Sequence, residues 1–450
     1  METRFTPEFR RSTMAKISWR LLPLVVFAYL VAYIDRTNVS VASLTMNKQL
    51  GIDPFYYGLG AGIFFIGYAL FEIPSNIILE KVGARLWIAR IMITWGIVSG
   101  LMAATVGPWS FVALRFALGV AEAGFFPGMI LYFTYWYPAA YRGRVISTLF
   151  IAVPLGNAIA SVLSGAILEM DGIWGLHGWQ WVFIVEAIPA VLLAFVVLKY
   201  MTDRPSKANW LDADQKDWIE GELAAERRAV EASGKLSVWQ VLTDRRVLAI
   251  SAIYFFSATA NYGITFFLPQ IVKGIGSQSN FMTSLLSAIP YLVGVVGLLA
   301  FGHSSDKHNE RRRHLITAAT IGGIGFAIAA SLHDSYWALV GMSIATVGTY
   351  GCRPTMWPMP SFYLTGAAAA VGIALINSIG NIGGYVGPFV VGWIKNSTQS
   401  FEMAVYFLSA CSFTSALIAY CARSATGARP ASASTRHQTR GEKTKAPSPL

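Results

Sequence analysis

The feature that most limits what this chain can become is a recurrence: apolar runs of about twenty residues return about twelve times along its 450 positions. A helix of that length rises about 30 Å, the thickness of a bilayer's hydrocarbon core. The runs fall at 18 to 40, 56 to 80, 84 to 105, 109 to 136, 143 to 168, 179 to 200, 246 to 272, 281 to 302, 313 to 332, 335 to 358, 362 to 395 and 401 to 422. With 54% hydrophobic and only 13% charged residues, the chain is unlike a soluble domain. The expected fold class is an all-α polytopic membrane protein of about twelve transmembrane helices.

The placement of the charges orients such a chain. Arg4, Arg10, Arg11, Lys16 and Arg20 precede the first run, and Arg423, Arg429, Arg436, Arg440, Lys443 and Lys445 follow the last. Alternate loops add Lys81, Arg85, Arg142, Arg144, Lys307, Arg311, Arg312 and Arg313, whereas the intervening ones offer only Lys48, Lys273 and Lys395. By the positive-inside rule both termini are expected in the cytoplasm. The net charge of +11 therefore reads as topology and not as a nucleic-acid surface. The first run follows a basic segment and is too long for a signal-peptide core, so it is expected to remain as a helix. Cys352, Cys411 and Cys421 lie in apolar runs without metal-ligand spacing, which predicts neither a disulfide nor a metal site.

Six runs end near Tyr200, and a polar segment with eight Lys/Arg and nine Asp/Glu (203 to 246) separates them from the next six. The expected organisation is an N-terminal six-helix bundle (1–200), a linker (201–245), a C-terminal six-helix bundle (246–422) and a disordered basic tail (423–450). Within the linker, Asp212 and Gln215 resemble a capping box, and Leu211, Trp218, Ile219 and Leu223 form a helical stripe, predicting a short surface helix.

Charges left inside the apolar runs demand a reason, because an ionisable side chain at bilayer depth costs roughly 2.5 to 3.5 kcal/mol or more. The stretch Tyr33, Ile34, Asp35, Arg36, Thr37, Asn38 sets two opposite charges side by side. The fourth span carries Arg115 and Glu122, seven residues and about 10.5 Å apart on nearly one face, so their extended side chains could just bridge or each could meet a partner elsewhere. Gly119, Ala123, Gly124 and Gly128 suit close helix packing nearby, and Pro127 can bend the helix. Glu72 and Glu186 lie close to prolines and read as structural acids, satisfied through water or a neighbouring helix. In the second half, Asn261 and Tyr262 lie in the seventh span, Arg353 and Trp357 share a face of the tenth, and Asn377 and Asn381 lie in the eleventh. Arg36 and Arg353 together could clamp a dicarboxylate, since a guanidinium matches a carboxylate bidentately; a snorkel of Arg353 to the rim, or a backbone-carbonyl contact at the proline break, is the alternative.

The two halves repeat a loop: Glu80, Lys81 … Arg85 after the second span and Asp306, Lys307 … Arg311 after the eighth. These paired loops resemble the signature of the major facilitator superfamily. Tyr33 to Asn38, Arg115 to Gly128, Gly302 to His314 and the segment Trp136 to Arg144 are similar to its anion:cation symporter family, over essentially the whole chain to about Arg423. The resemblance implies Asp35 and Glu122 as proton carriers, with Arg115 holding Glu122 in one state and Arg36 binding the substrate carboxylate. It also implies substrate contacts at Tyr33, Tyr68, Trp357 and Asn377, to which the residues add Asn261, Tyr262 and Arg353. Glu80, Arg85, Asp306 and Arg311 are expected to gate the site by clasping the bundles.

Arg353 departs from the family's pattern, in which that part of the tenth span is uncharged. So does the fifth span, with Val153, Pro154 and Asn157 where sugar-acid carriers tend to place a glutamine. With the aromatic set, these departures lean toward a flat dicarboxylate such as phthalate, with tartrate or another hydroxy acid as the alternative. The expected function is proton-coupled symport of a small organic anion by a monomer in a cell inner membrane. No HExxH, P-loop or nucleotide fingerprint occurs, so neither an enzyme nor a cofactor is expected. A receptor or a channel on a transporter scaffold is the rival of another class.

Overall fold

The computed structural model describes residues 5–232, 238–276, 279–362, 364 and 366–423. The helices, in order, are α1 (Pro7–Leu50), α2 (Pro54–Val82), α3 (Ala84–Leu101), α4 (Pro108–Glu122), α5 (Phe125–Thr134), α6 (Ala139–Leu168), α7 (Gly178–Tyr200), α8 (Ala213–Ala232), α9 (Val238–Leu242), α10 (Arg245–Ile275), α11 (Asn280–Lys307), α12 (Arg312–Ser331), α13 (Trp337–Met356), α14 (Gly366–Thr398) and α15 (Glu402–Cys421). Among the described residues, eleven helices are long and apolar enough to cross a membrane, α4 and α5 counting as one span. The twelfth, α13, has the same 20 residues as α12 and α15 but carries Arg353 and Pro354 near its end, and it packs between α11 and α12. The expected tail from 424 onward lies outside the described residues.

Local chemistry sets the helix ends. Thr6 caps α1 by accepting from the Phe9 amide at 3.2 Å, with Pro7 in the first turn where a missing N–H costs nothing. α1 then runs unbroken past Pro23 to Gly51, which closes it at φ 65. Asp53 and Pro54 start α2 in the same way, Asp53 accepting from Tyr56 N at 2.8 Å. In the fourth span the expected bend at Pro127 lies three residues earlier. Gly124 adopts φ 84 between α4 and α5, a left-handed conformation natural to glycine, and Pro127 falls in the first turn of α5, where it breaks nothing.

Within the first half, α1 packs on α6 and α7, α3 on α4 and α7, and α2 on α4; within the second, α12 packs on α13 and α15, α10 on α14 and α15, and α11 on α13. The most extensive pairs that cross between these sets are α2 with α14, α6 with α11, and α1 with α10, with a smaller contact of α6 on α13. The crossing is tightest at the helix ends remote from the chain termini. There a Cβ on Gly58 would meet Pro388 O at 2.4 Å, and one on Gly165 would meet Ser284 Cβ at 2.5 Å. Large apolar side chains such as Leu70, Ile73, Leu192, Phe195, Leu292 and Val296 point outward, as lipid-facing surfaces require.

The linker helix α8 is docked rather than free. Trp218, Ile219 and Leu223 are buried, Phe9 meets Trp218 edge-on at 6.4 Å, and Lys16 reaches both Asp212 (3.5 Å) and Gln215 (3.1 Å). Arg142 pairs with Glu226 at 2.6 Å, tying the start of α6 to the same helix. The apolar stripe expected on a surface helix is therefore buried, with Trp218 against Phe9 of α1.

Candidate functional site

Asp35 and Arg36 lie mid-helix, because α1 continues fifteen residues beyond Asp35, roughly 22 Å at the α-helical rise. Both are buried, at 1% and 8% exposure. Arg36 donates to one oxygen of Glu122, through Nε at 2.8 Å and through Nη2, forming an ion pair between α1 and α4. Its guanidinium also lies 5.2 to 5.5 Å from the ring centroids of Tyr33, Phe64 and Tyr68, a cation–π setting that suits a cation withdrawn from water.

The bridge allowed between Arg115 and Glu122 is not what this structure contains. Arg115 turns to α2, where Nε approaches Gly60 O at 3.3 Å and Nη2 approaches Ala61 O at 3.5 Å, with Phe64 beneath it at 5.0 Å. Packing explains the choice. A Cβ on Gly119 would stand 2.0 Å from Phe64 O, so α4 and α2 are in backbone contact, and carbonyls of α2 lie nearer to Arg115 than a carboxylate two turns away.

The other acids divide by their partners. Asp35 accepts from Ser99 and from Asn38 (3.3 Å) on one oxygen, while its second oxygen and the second oxygen of Glu122 are buried without a partner. Glu186 is held by Ser164 at 2.7 Å, a neighbouring-helix contact of the kind expected. Glu72 too is satisfied by a neighbouring helix, α14, which packs on α2. Its two oxygens accept from Asn377 at 2.8 Å and Asn381 at 3.2 Å, across to α14.

Between the halves lies a narrow cavity, with about 20 Å³ open to the centre of a water-sized sphere. Tyr33, Arg36, Tyr68, Tyr262, Arg353, Trp357 and Asn377 line it, together with Tyr29, Phe65, Phe126, Phe150, Tyr254 and Asn381. Asn261 stands behind Arg353, accepting from Nη2 at 2.9 Å. Asp35, Glu122 and Arg115 are not among the lining residues. Arg353 does not snorkel to the rim: it is buried at 7% exposure, lies 5.4 Å from the Tyr350 ring, and has no carboxylate within ion-pair distance among the described residues. Trp357 stacks on Phe150 at 6.1 Å and meets Tyr254 edge-on at 5.4 Å. Asn157 is occupied elsewhere, joining Thr37 (2.8 Å) to Tyr350 (2.8 Å).

Of the lining residues that sequence reasoning passed over, two carried a signal. Tyr29 is one helical turn before Tyr33, and Tyr254 is seven residues before Asn261, hence on nearly the same face. Phe65 and Phe126 carried none, since an aromatic residue in an apolar run reads equally as packing.

The loop residues are placed as follows. Arg311 pairs with Asp306 inside its own loop and donates to Ser305 Oγ at 2.9 Å. The Arg85 amide donates to Asp203 Oδ1 at 2.9 Å, and Glu80 lines a surface groove with Arg142 and Arg204. Among the described residues no ion pair joins the Glu80 loop to the Asp306 loop. No group of three or more His, Cys, Asp or Glu among them could hold a metal ion.

Among the described residues, eleven candidate spans and α13 pack around a central cavity, and the chain belongs to the Major Facilitator Superfamily, whose model matches residues 25–388. It is 46% identical to a protein of Agrobacterium vitis named "Putative tartrate transporter", over 90% of this chain and 93% of that one. It is 42% identical to the "Quinolone resistance transporter" of Acinetobacter baumannii, over 89% of this chain and 93% of that one. Among solved structures it is similar to an inward-facing bacterial homologue of the human lysosomal transporter Spinster (TM-score 0.71, 18% identity, 91% of this chain and 96% of the other). The xylose transporter XylE from E. coli, in a partially occluded inward open conformation, is alike to the same degree (TM-score 0.70, 16% identity, 90% and 98%). The protein is a multi-pass membrane transporter.

Proposed function

We propose that this transporter carries a small organic dicarboxylate into the cell together with protons, by alternating access of the central cavity. The observation that carries this reading is the unequal state of the two cavity arginines. Arg36 is neutralised by Glu122, whereas Arg353 faces the cavity with an amide as its only side-chain hydrogen-bond partner among the described residues. A buried guanidinium without a carboxylate is costly, and an anionic substrate is the natural partner for it.

Proton coupling follows from the same pair. A proton on Glu122 cancels the charge that holds Arg36, and Arg36 can then turn to a second carboxylate of the substrate. Asp35 lies one residue away on α1 with one oxygen unpartnered, and is a second proton carrier in this reading. Arg115, anchored on the carbonyls of α2, holds positive charge near both acids without being consumed by either. Tyr33, Tyr68, Tyr262, Trp357 and Asn377 would contact the organic body, with Asn261 steadying Arg353.

The phthalate expectation drew on the aromatic lining, whereas the relatives named for tartrate favour a hydroxy-dicarboxylate, and we take tartrate as the better first substrate. Both termini would lie in the cytoplasm of a bacterial inner membrane, with a monomer as the working unit. Residues 1–200 and 246–422 would be the rocking bodies, and the loops at Glu80–Arg85 and Asp306–Arg311 would clasp them in the outward-facing state. The test is uptake of labelled tartrate and phthalate into proteoliposomes under an imposed inward proton gradient. Accumulation above the external level that collapses with a protonophore supports the reading. Downhill flux alone would make the protein a channel or uniporter, and binding without flux would make it a receptor.

A further inference from the structure

Glu72 lies on α2, buried at 6% exposure, outside the cavity lining but in contact with two residues that belong to it. Asn377 and Asn381 are one turn apart on α14, and each gives its Nδ2 to a different oxygen of Glu72. A carboxylate can only accept, so it dictates which way each amide faces: the NH2 ends turn to Glu72 and the carbonyl ends turn away. Both asparagines line the cavity, and no hydrogen bond among the described residues engages either carbonyl oxygen.

The cavity is thereby polarised. Arg36 and Arg353, on α1 and α13, supply donors only, and their natural complement is carboxylate. With the Nδ2 of each given to Glu72, the two amides on α14 keep carbonyl oxygens free to accept, and the natural complement of an acceptor is a hydroxyl hydrogen. The tyrosine hydroxyls between them can serve either role.

We propose that Glu72 is a positioning residue for substrate specificity. By locking Asn377 and Asn381 with their carbonyl oxygens toward the cavity, it selects carboxylates that also carry hydroxyl groups over those that do not. This deepens the organic-anion reading above and rests on it. A site built to accept a substrate hydroxyl discriminates strongly against the analogue lacking it, because a desolvated acceptor is left without a partner.

Tartrate and succinate test this directly, since they share a four-carbon dicarboxylate skeleton and differ only in two hydroxyls. The measurement is the ratio of kcat/KM for the two in proteoliposome uptake. The unaltered protein should prefer tartrate by roughly tenfold or more. In Glu72→Gln the new amide can donate to one asparagine carbonyl, releasing that residue to present its NH2 instead. The ratio should then fall by about tenfold, mainly through a higher KM for tartrate. Asn381→Ala removes one acceptor without touching the Glu72–Asn377 bond, and should lower the ratio in the same direction even if the first variant folds poorly. An unchanged ratio in both variants, or an equal proportional loss for both substrates, would overturn the proposal and leave Glu72 as a structural tie between α2 and α14. Saturable uptake of both by the unaltered protein with a ratio near one would sink this inference alone. Uptake of no organic anion at all would sink the transport reading and the inference with it.

Discussion

Replacing Arg353 by glutamine separates a substrate-binding cation from a structural one. In the structure Arg353 donates to Asn261 and faces the cavity, with no carboxylate beside it among the described residues. A hydrogen bond to a charged group contributes about 1.5–3 kcal/mol. Glutamine keeps one donor but loses the charge and the second prong, so substrate should bind more weakly by that amount, a rise in KM of roughly 10- to 150-fold. Stability should move the other way or not at all, because the substitution removes a desolvated charge that no carboxylate among the described residues compensates. Arg36→Gln supplies the contrast: it strands Glu122 as an uncompensated buried carboxylate, a loss of about 3–5 kcal/mol. Initial rates of labelled tartrate uptake and thermal melting in detergent, measured on both variants, read the two effects independently. A KM for Arg353→Gln within about threefold of the unaltered protein, or a melting temperature lowered as much as by Arg36→Gln, would refute the reasoning.

Three further outcomes are expected. Glu122→Gln should abolish concentrative uptake while leaving exchange of internal for external substrate; each coupled proton supports about tenfold accumulation per pH unit, and retention of that accumulation would remove Glu122 from the coupling. Gly119→Leu should cost at least about 1–3 kcal/mol, because its Cβ would stand 2.0 Å from a backbone oxygen of α2 that cannot move aside, and a normal melting temperature would contradict the packing described. At the loop before α12, partial burial pushes the Glu310 carboxyl up. The amides of Arg313 (2.7 Å) and His314 (3.2 Å), with the His314 imidazole, pull it down further, for a net lowering below the usual glutamate value. The stabilisation is present above the unfolded-state value and is lost as pH falls through the folded one, so the first turn of α12 should lose hydrogen-exchange protection in acid. Glu310→Gln should show no such acid transition.

What the amino-acid sequence determined by itself was the all-helical membrane class, the order of the long apolar helices and the family. Each of these is written in stretches of twenty or more residues or in contiguous motifs, and hydrophobicity and backbone satisfaction in lipid leave few other solutions. It also singled out most of the polar residues at the centre, because a charge inside an apolar run is conspicuous wherever the chain later puts it. Pairing was a different matter. Whether Glu122 meets Arg115 on its own helix or Arg36 on another depends on how closely α4 approaches α2, and glycine contacts between non-adjacent stretches decide that. The bond from Glu72 to Asn377 spans 305 positions, and the face that Arg353 presents depends on the break after α13. Only the tertiary structure decides such contacts, since charge and burial name the residues that need partners while helix packing selects which partner lies within 3 Å.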